Sequence, residues 1–344
     1  MKILLAGDNF VRNDLLAEEI RARVPVDAEF ESISLPWPEV PFGKVGEVDE
    51  ASDCEDELIE TVRDAEVVVT QMAPLTERML REAHALRLIV CTRGGPVNVN
   101  IAAATERRIA VTITPGRNAV AAAEYTVLLM LAAMRRLAEA HTSLAAGEWR
   151  SGMYAYDECG TEMAESIVGI VGFGEIGRRV AAIVRAMRAR VLAYDPFVAP
   201  ASVDDGIELV ALDELLGRAD VVSLHARLTP ETRGLIGADA LARMRPGSVL
   251  VNTARGALLD YAAAAAVLRS GHLRALALDV FSEEPVPPDS PLLRMPNVVF
   301  SPHLAGATRQ TALRAARVAA LEIERYARRE PLQHVLNGVV PWQG

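Results

Sequence analysis

The sequence predicts an α/β protein with two Rossmann-like domains built on parallel sheets. Three observations predict it. A glycine-rich strand–turn–helix lies in the middle of the chain, short apolar runs alternate with helical patterns on both sides of it, and 344 residues are long for a single core.

The glycine-rich segment is the most informative. An apolar run, 167–171, leads into Gly172-x-Gly174-x-x-Gly177; a helix is expected over 178–187, and a second run, 191–194, delivers Asp195. Gly172 permits the tight turn, Gly174 lets the backbone approach a pyrophosphate, and Gly177 lets helix and strand pack closely. The helix N-terminus offers unpaired N–H groups to phosphates. Asp195 stands eighteen positions after Gly177, where a carboxylate accepts ribose hydroxyls. A glycine turn alone is weak evidence, because such turns also occur without a ligand. Here strand, turn, helix, strand and terminal acid follow in order, which points to a bound dinucleotide. Asp195 favours NAD over NADP, since a carboxylate repels a 2′-phosphate and no Arg follows in Asp195-Pro196-Phe197.

Bulk properties narrow the class. A composition of 51% hydrophobic and 24% charged residues is ordinary for globular cores. A net charge of −10 argues against non-specific nucleic-acid or anionic-membrane binding. Cys54, Cys91 and Cys159 are odd in number and widely separated, which fits neither a disulfide framework nor a metal cluster; no metal is expected, and a reducing cytoplasm is the simplest location. The apolar start of the chain is too short for a signal peptide and reads as a first strand. Residues 119–134 are apolar on nearly every face but shorter than the ~20 residues of a membrane span. With Glu124 inside and Arg135-Arg136 at its end, the segment reads as a core or subunit-interface helix.

In the first part of the chain, strands are expected at 2–6, 67–70, 88–91 and 110–113, and helices at 13–24, 55–63 and 101–107. Residues 35–47, with prolines at 36, 38 and 41, read as a loop. The second series has strands at 167–171, 190–194, 207–210, 220–224, 248–252, 275–279 and 297–300, then a helix over 308–329 and a last strand candidate at 335–340. The expected division is a dinucleotide domain at 117–306 set within a discontinuous substrate domain, 1–116 plus 307–344, with the active site in the cleft between them.

Three strand-like segments end in reactive residues: 249–255 in Arg255, 275–279 in Asp279 followed closely by Glu283 and Glu284, and 297–300 in Ser-Pro-His303. In an open parallel sheet, ligands bind beyond the carboxyl ends of strands. Arg255 offers a two-pronged donor for a carboxylate, His303 exchanges a proton near neutral pH, and Glu284 would orient the imidazole and favour its charged form. Each has a plainer reading: a helix-end tie, a packed ring, a solvated acid. Three complementary residues at strand ends together favour chemistry. His225, at another strand end, is a candidate for a nucleotide contact and lacks metal partners at ligand spacing. His84 and His141 read as surface residues.

On these motifs, with 223–232 added, the chain resembles the D-isomer-specific 2-hydroxyacid dehydrogenase family, nearest in kind to its D-3-phosphoglycerate dehydrogenase branch, over almost its whole length. The resemblance implies an NAD-dependent oxidoreductase moving a hydride between the nicotinamide and C2 of a small D-2-hydroxy acid. Arg255 would grip the substrate's carboxylate and carbonyl, His303 would be the acid/base, Glu284 its partner, and Glu283 an exposed neighbour. Asp279 and the backbone of Thr253, Ala254 and Arg255 would hold the carboxamide, and the backbone of Glu175 and Ile176 would meet the pyrophosphate. It also implies a homodimer built around the helix at 119–136. The chain ends soon after its last helix, so the regulatory C-terminal domain of some phosphoglycerate dehydrogenases, and feedback by serine, are not expected.

One departure stands out. The family's substrate-binding Gly-x-Gly loop is replaced by Thr92-Arg93-Gly94-Gly95-Pro96, and Val97 stands where Asp is common. Arg93 either binds a second anionic group of the substrate, or it points to solvent or pairs with a neighbouring acid; Arg117 is a second candidate for the anion. Two rival functions stay open: a glyoxylate or hydroxypyruvate reductase, and a non-catalytic NAD(H)-sensing protein like the corepressors of this fold.

Overall fold

The computed structural model describes residues 1–25 and 27–342. It divides into two compact units, Met1–Asn118 with Ala307–Gly344, and Ala119–Gly306.

The first unit runs β1 (Lys2–Gly7), α1 (Asn13–Arg21), β2 (Glu29–Ser34), β3 (Gly43–Val45), β4 (Val48–Ala51), α2 (Glu55–Val62), β5 (Val67–Thr70), α3 (Glu77–Glu82), β6 (Leu88–Cys91), α4 (Ile101–Glu106) and β7 (Ala110–Ile113). Its sheet has the order β2-β1-β5-β6-β7, and every pairing is parallel. The central strands are buried on both faces, which explains their continuous Val/Ile/Leu runs. Strand order reverses between β1 and β5, which makes the carboxyl ends of those two strands a natural ligand position.

The second unit runs α5 (Ala119–Met134), α6 (Leu137–Ala145), β8 (Ile167–Val171), α7 (Glu175–Ala186), β9 (Arg190–Tyr194), β10 (Ile207–Leu209), α8 (Leu212–Arg218), β11 (Val221–Leu224), α9 (Ala238–Arg243), β12 (Ser248–Asn252), α10 (Tyr261–Arg269), β13 (Leu273–Leu278) and β14 (Val298–Phe300). Its parallel sheet has the order β10-β9-β8-β11-β12-β13-β14, with the reversal between β8 and β11. The chain then returns to the first unit as α11 (Arg309–Ala327), capped by Thr308. An alanine ridge on α11 (Ala312, Ala315, Ala316, Ala319) packs with Ile3, Leu5, Val67 and Val69 of the first sheet. Small side chains let the helix lie close to the strands.

Several expectations need correction. The helix after the glycine turn begins at Glu175, inside the motif, and not at 178. Residues 35–47 are not all loop, because β3 falls within them and forms an antiparallel hairpin with β4. The segment 335–340 is not a strand. It makes a single antiparallel bridge, Thr112 to Val335, and Gly338 then turns with φ 67°. Asn337 holds the segment by accepting the Val111 N–H at 3.1 Å. Helix α5 is mostly core of its own unit, packing with β-strand residues such as Val168, Ile170 and Val251. Among the described residues, no helix is long and apolar enough to cross a membrane.

Candidate active site

The glycine turn sits at the carboxyl end of β8, at the reversal of the second sheet. Gly172 has φ +94°, and a Cβ there would lie 2.4 Å from the Ala226 nitrogen, so no L side chain fits. A Cβ at Gly177 would lie 2.3 Å from the Gly172 carbonyl oxygen, which enforces the close helix–strand contact. At Gly174 a Cβ would meet nothing within 4 Å, so the turn faces open space. No side chain caps α7, which leaves its first-turn N–H groups for an anion. Asp195 is fixed beside them: one oxygen accepts the Phe173 N–H at 2.8 Å, the other the Phe197 N–H at 2.9 Å. Open backbone, unpaired N–H groups and a fixed carboxylate fit a dinucleotide.

The carboxyl ends of β12, β13 and β14 lie on the same sheet edge as that turn, because all the strands are parallel. His303 Nδ1 is 2.7 Å from Glu284 Oε2, and Glu284 Oε1 accepts the Phe281 N–H at 2.9 Å. The second ring nitrogen, Nε2, is left unengaged by Glu284. His303 has φ 55°, a conformation few non-glycine residues adopt and one that clusters at functional sites. Burial lowers the proton affinity of His303, and the charge of Arg255 lowers it further. The Glu284 hydrogen bond and charge outweigh both, so its pKa is raised above the ordinary 6.5.

Asp279 is tied into the turn that carries His303. Its carboxylate is wholly buried: Oδ1 accepts Ser301 Oγ at 2.6 Å and the Leu304 N–H at 2.7 Å, and Oδ2 accepts the Ala305 N–H at 2.8 Å. Its carbonyl accepts the His303 N–H at 2.8 Å. Asp279 therefore anchors the turn that presents the imidazole and offers no exposed oxygen to a carboxamide. This role has no signal in the sequence, since an acid at a strand end reads equally as a ligand.

Arg255 is exposed, and its Nη1 donates to the neighbouring Ala254 carbonyl at 2.7 Å; among the described residues it forms no ion pair. Asn252, which sequence reasoning passed over, fixes the turn before it, accepting the Ala254 N–H at 3.1 Å and donating to the Arg255 carbonyl at 2.9 Å. Thr253 Oγ1 lies 2.7 Å from Thr126 Oγ1. His225 bonds to Ser223 Oγ at 2.9 Å, and burial pushes its pKa down to about 3, so it is neutral. Glu283, His84 and His141 are exposed. A cavity of about 570 Å³ in this unit, lined in part by Arg136, Glu139 and Arg274, includes neither the glycine turn nor His303.

In the first unit, Arg93 pairs with a neighbouring acid. Its guanidinium pairs with the Glu50 carboxylate and also donates to the Glu50 carbonyl at 3.3 Å. Gly94 and Gly95 follow it with room around both, the nearest atom to a Cβ at Gly94 being Pro115 Cα at 3.9 Å.

These features define a dinucleotide-binding α/β protein with a histidine–carboxylate pair at the ligand edge of the same sheet. Residues 127–305 match the model of the D-isomer specific 2-hydroxyacid dehydrogenase, NAD binding domain. The chain is similar to the D-3-phosphoglycerate dehydrogenase of Mycobacterium leprae, 44% identical over 260 residues, covering 75% of this chain and 48% of that one. It is also 39% identical over 289 residues to the glyoxylate reductase of Aeropyrum pernix, covering 81% and 85%. The TT0316 protein of Thermus thermophilus superposes with a TM-score of 0.82 at 32% identity, over 98% of this chain and 100% of that one. The chain belongs to the D-isomer specific 2-hydroxyacid dehydrogenase family, and its second unit carries the NAD-binding domain. It spans about half the length of the phosphoglycerate dehydrogenases it matches.

Proposed function

We propose that the protein is an NAD-dependent dehydrogenase interconverting a small D-2-hydroxy acid and its 2-oxo acid. The observation that carries this reading is the 2.7 Å His303–Glu284 pair on the sheet edge that holds the glycine turn. NAD, when bound, supplies the two-electron chemistry by exchanging a hydride with C2. The first turn of α7, at Glu175 and Ile176, would hold the pyrophosphate, and Asp195 would accept the ribose hydroxyls. The segment Thr253–Ala254–Arg255 would hold the nicotinamide end.

In oxidation, His303 Nε2 takes the proton of the C2 hydroxyl as the C2–H bond breaks. In reduction, protonated His303 gives that proton to the developing alkoxide. Arg255 holds the substrate carboxylate and the C2 oxygen, stabilising charge as it forms. Glu284 keeps the imidazole charged and aimed. In the first unit, Gly94 and Gly95 leave backbone open to a carboxylate. The relatives named above support substrates of the phosphoglycerate or glyoxylate kind, and the similarity to a glyoxylate reductase over 85% of its length makes a short oxo acid a second reading.

A second copy of the chain completes the proposal. Helix α6 buries none of its residues, and Leu137, Leu144, Trp149, Tyr154 and Tyr156 expose large apolar surfaces, Tyr154 at 93%. Such a patch suits a homodimer. The three cysteines are unpaired, which suits a reducing cytoplasm.

The test is to mix the protein with NADH and glyoxylate, hydroxypyruvate, phosphohydroxypyruvate or pyruvate and follow the nicotinamide absorbance. Turnover of at least one acid supports the reading. NADH binding with no turnover of any 2-oxo acid would instead favour a nucleotide-sensing protein.

A further inference from the structure

We infer that Tyr261 is a positioning residue for the reaction: its hydroxyl fixes the peptide group that holds Glu284 against His303. The inference deepens the dehydrogenase reading and rests on it for its kinetic consequence.

The contacts form one continuous chain within the second unit. Tyr261 opens α10, whose first turn is capped by Asp260 accepting the Ala263 N–H at 3.0 Å. From there the phenol donates to the Val280 carbonyl at 2.6 Å. That carbonyl and the Phe281 N–H belong to one planar peptide group, and the Phe281 N–H donates to Glu284 Oε1 at 2.9 Å. Glu284 Oε2 lies 2.7 Å from His303 Nδ1. Phenol, peptide, carboxylate and imidazole are therefore linked in series. A donor on the peptide oxygen polarises the group and strengthens the bond that its N–H makes. It also fixes the peptide plane, and with it the direction of that N–H.

Other contacts hold the same stretch. The Tyr261 and Phe281 rings lie 6.4 Å apart between centroids. A Cβ at Gly256 would fall 1.8 Å from the Phe281 carbonyl oxygen, so the backbone after Arg255 lies directly against the 281–282 peptide. The phenol reaches the Arg255 side as well, through a hydrogen bond with the Asn252 side chain. Asn252 in turn brackets the Arg255 turn at the Ala254 N–H and the Arg255 carbonyl. Tyr261 thus meets the supports of both Arg255 and Glu284.

The electrostatics suit a fixed donor. Burial pushes the phenol pKa well above its usual value and the Glu284 charge adds to this, so Tyr261 stays protonated. Val280 is buried, so water does not readily replace the phenol at its carbonyl. The charged groups that act on His303 are Glu284, Arg255 and Asp279. Tyr261→Phe leaves all three in the chain, so its effect on the imidazole travels through the peptide and Glu284. A less firmly held carboxylate raises the proton affinity of His303 by less.

The test is Tyr261→Phe, which keeps the ring and removes the hydroxyl. Beside it stands Leu268→Val, which trims a buried side chain farther along the same helix and leaves the chain of bonds alone. Thermal melts verify that both variants are folded. NMR titration of the His303 imidazole, assigned by its loss in His303→Gln, is the primary reading and needs no turnover. The His303 pKa should fall by about half a unit or more in Tyr261→Phe and stay within about 0.2 of wild type in Leu268→Val. With NADH and a 2-oxo acid, kcat should fall about threefold or more and its alkaline limb should move to lower pH, while NADH affinity stays within about twofold. An unmoved imidazole in Tyr261→Phe, or an equal fall in Leu268→Val, overturns the inference and leaves the dehydrogenase reading intact. So does a lowered imidazole pKa that leaves kcat and its alkaline limb untouched in an active enzyme. A fall confined to Tyr261→Phe, with no acid turned over by wild type, supports the link to His303 and removes the dehydrogenase reading.

Discussion

Glu284 grips His303 from a fixed position: Oε2 is 2.7 Å from the imidazole Nδ1, while Oε1 is tied to the Phe281 N–H at 2.9 Å. The carboxylate is therefore an oriented charge, and its hydrogen bond and charge together keep the histidine pKa above 6.5. Glu284→Gln retains an acceptor and removes the charge. In the reductive direction, which needs protonated His303, activity is lost as pH rises through that pKa. The variant should lose activity at lower pH than wild type and fall about tenfold or more at neutral pH. A pH–rate profile of both proteins checks it; an unshifted alkaline limb counts against the assignment.

The same pair predicts a stability signature. A histidine whose pKa is raised on folding contributes stability that is full below its unfolded pKa, near 6.5, and is lost as pH rises through the higher folded value. The Tm gap between wild type and His303→Gln should be widest at acidic pH and close on the alkaline side. Calorimetry across that range is the measurement, and a gap that widens with pH would contradict it.

The glycine turn predicts two different failures. Alanine at Gly177 places a methyl 2.3 Å from the Gly172 carbonyl, an overpacking that should cost about 1–3 kcal/mol and lower Tm. Alanine at Gly174 meets nothing within 4 Å, so Tm should hold while NADH affinity falls. Thermal melts and fluorescence titrations of the two variants separate these effects. Equal losses of Tm would refute the distinction.

Asp279→Ala removes an acceptor from Ser301, Leu304 and Ala305 at once. Unsatisfied buried N–H groups should cost about 2–4 kcal/mol and release the turn that presents His303. Chemical denaturation measures the first. Backbone amide exchange at 303–305 measures the second and should rise well above that of the neighbouring strand.

Much of this was readable from residues alone, for identifiable reasons. The buried parallel strands carry uninterrupted apolar runs, and the glycine motif has one steric explanation per glycine, so sheets and turn were legible. Strand β2 was not, because it lies at the sheet edge and only Ile33 of Glu29–Ser34 is buried. The hairpin of β3 and β4 hid in a proline-rich stretch. Residues 335–340 looked like a strand by composition, yet the segment pairs only briefly with β7 and is held by the Asn337 side chain. Among site residues, strand-end position identified His303, Glu284 and Arg255 as chemical candidates. It did not distinguish Asp279, whose carboxylate faces inward to build the turn.

The account stands on proton transfer by His303, and single-turnover kinetics of His303→Ala with NADH and a reactive 2-oxo acid address that step directly. Loss of about two orders of magnitude or more in the chemical step, with NADH affinity within about twofold of wild type, is the predicted result. Near-normal turnover in the variant would contradict it.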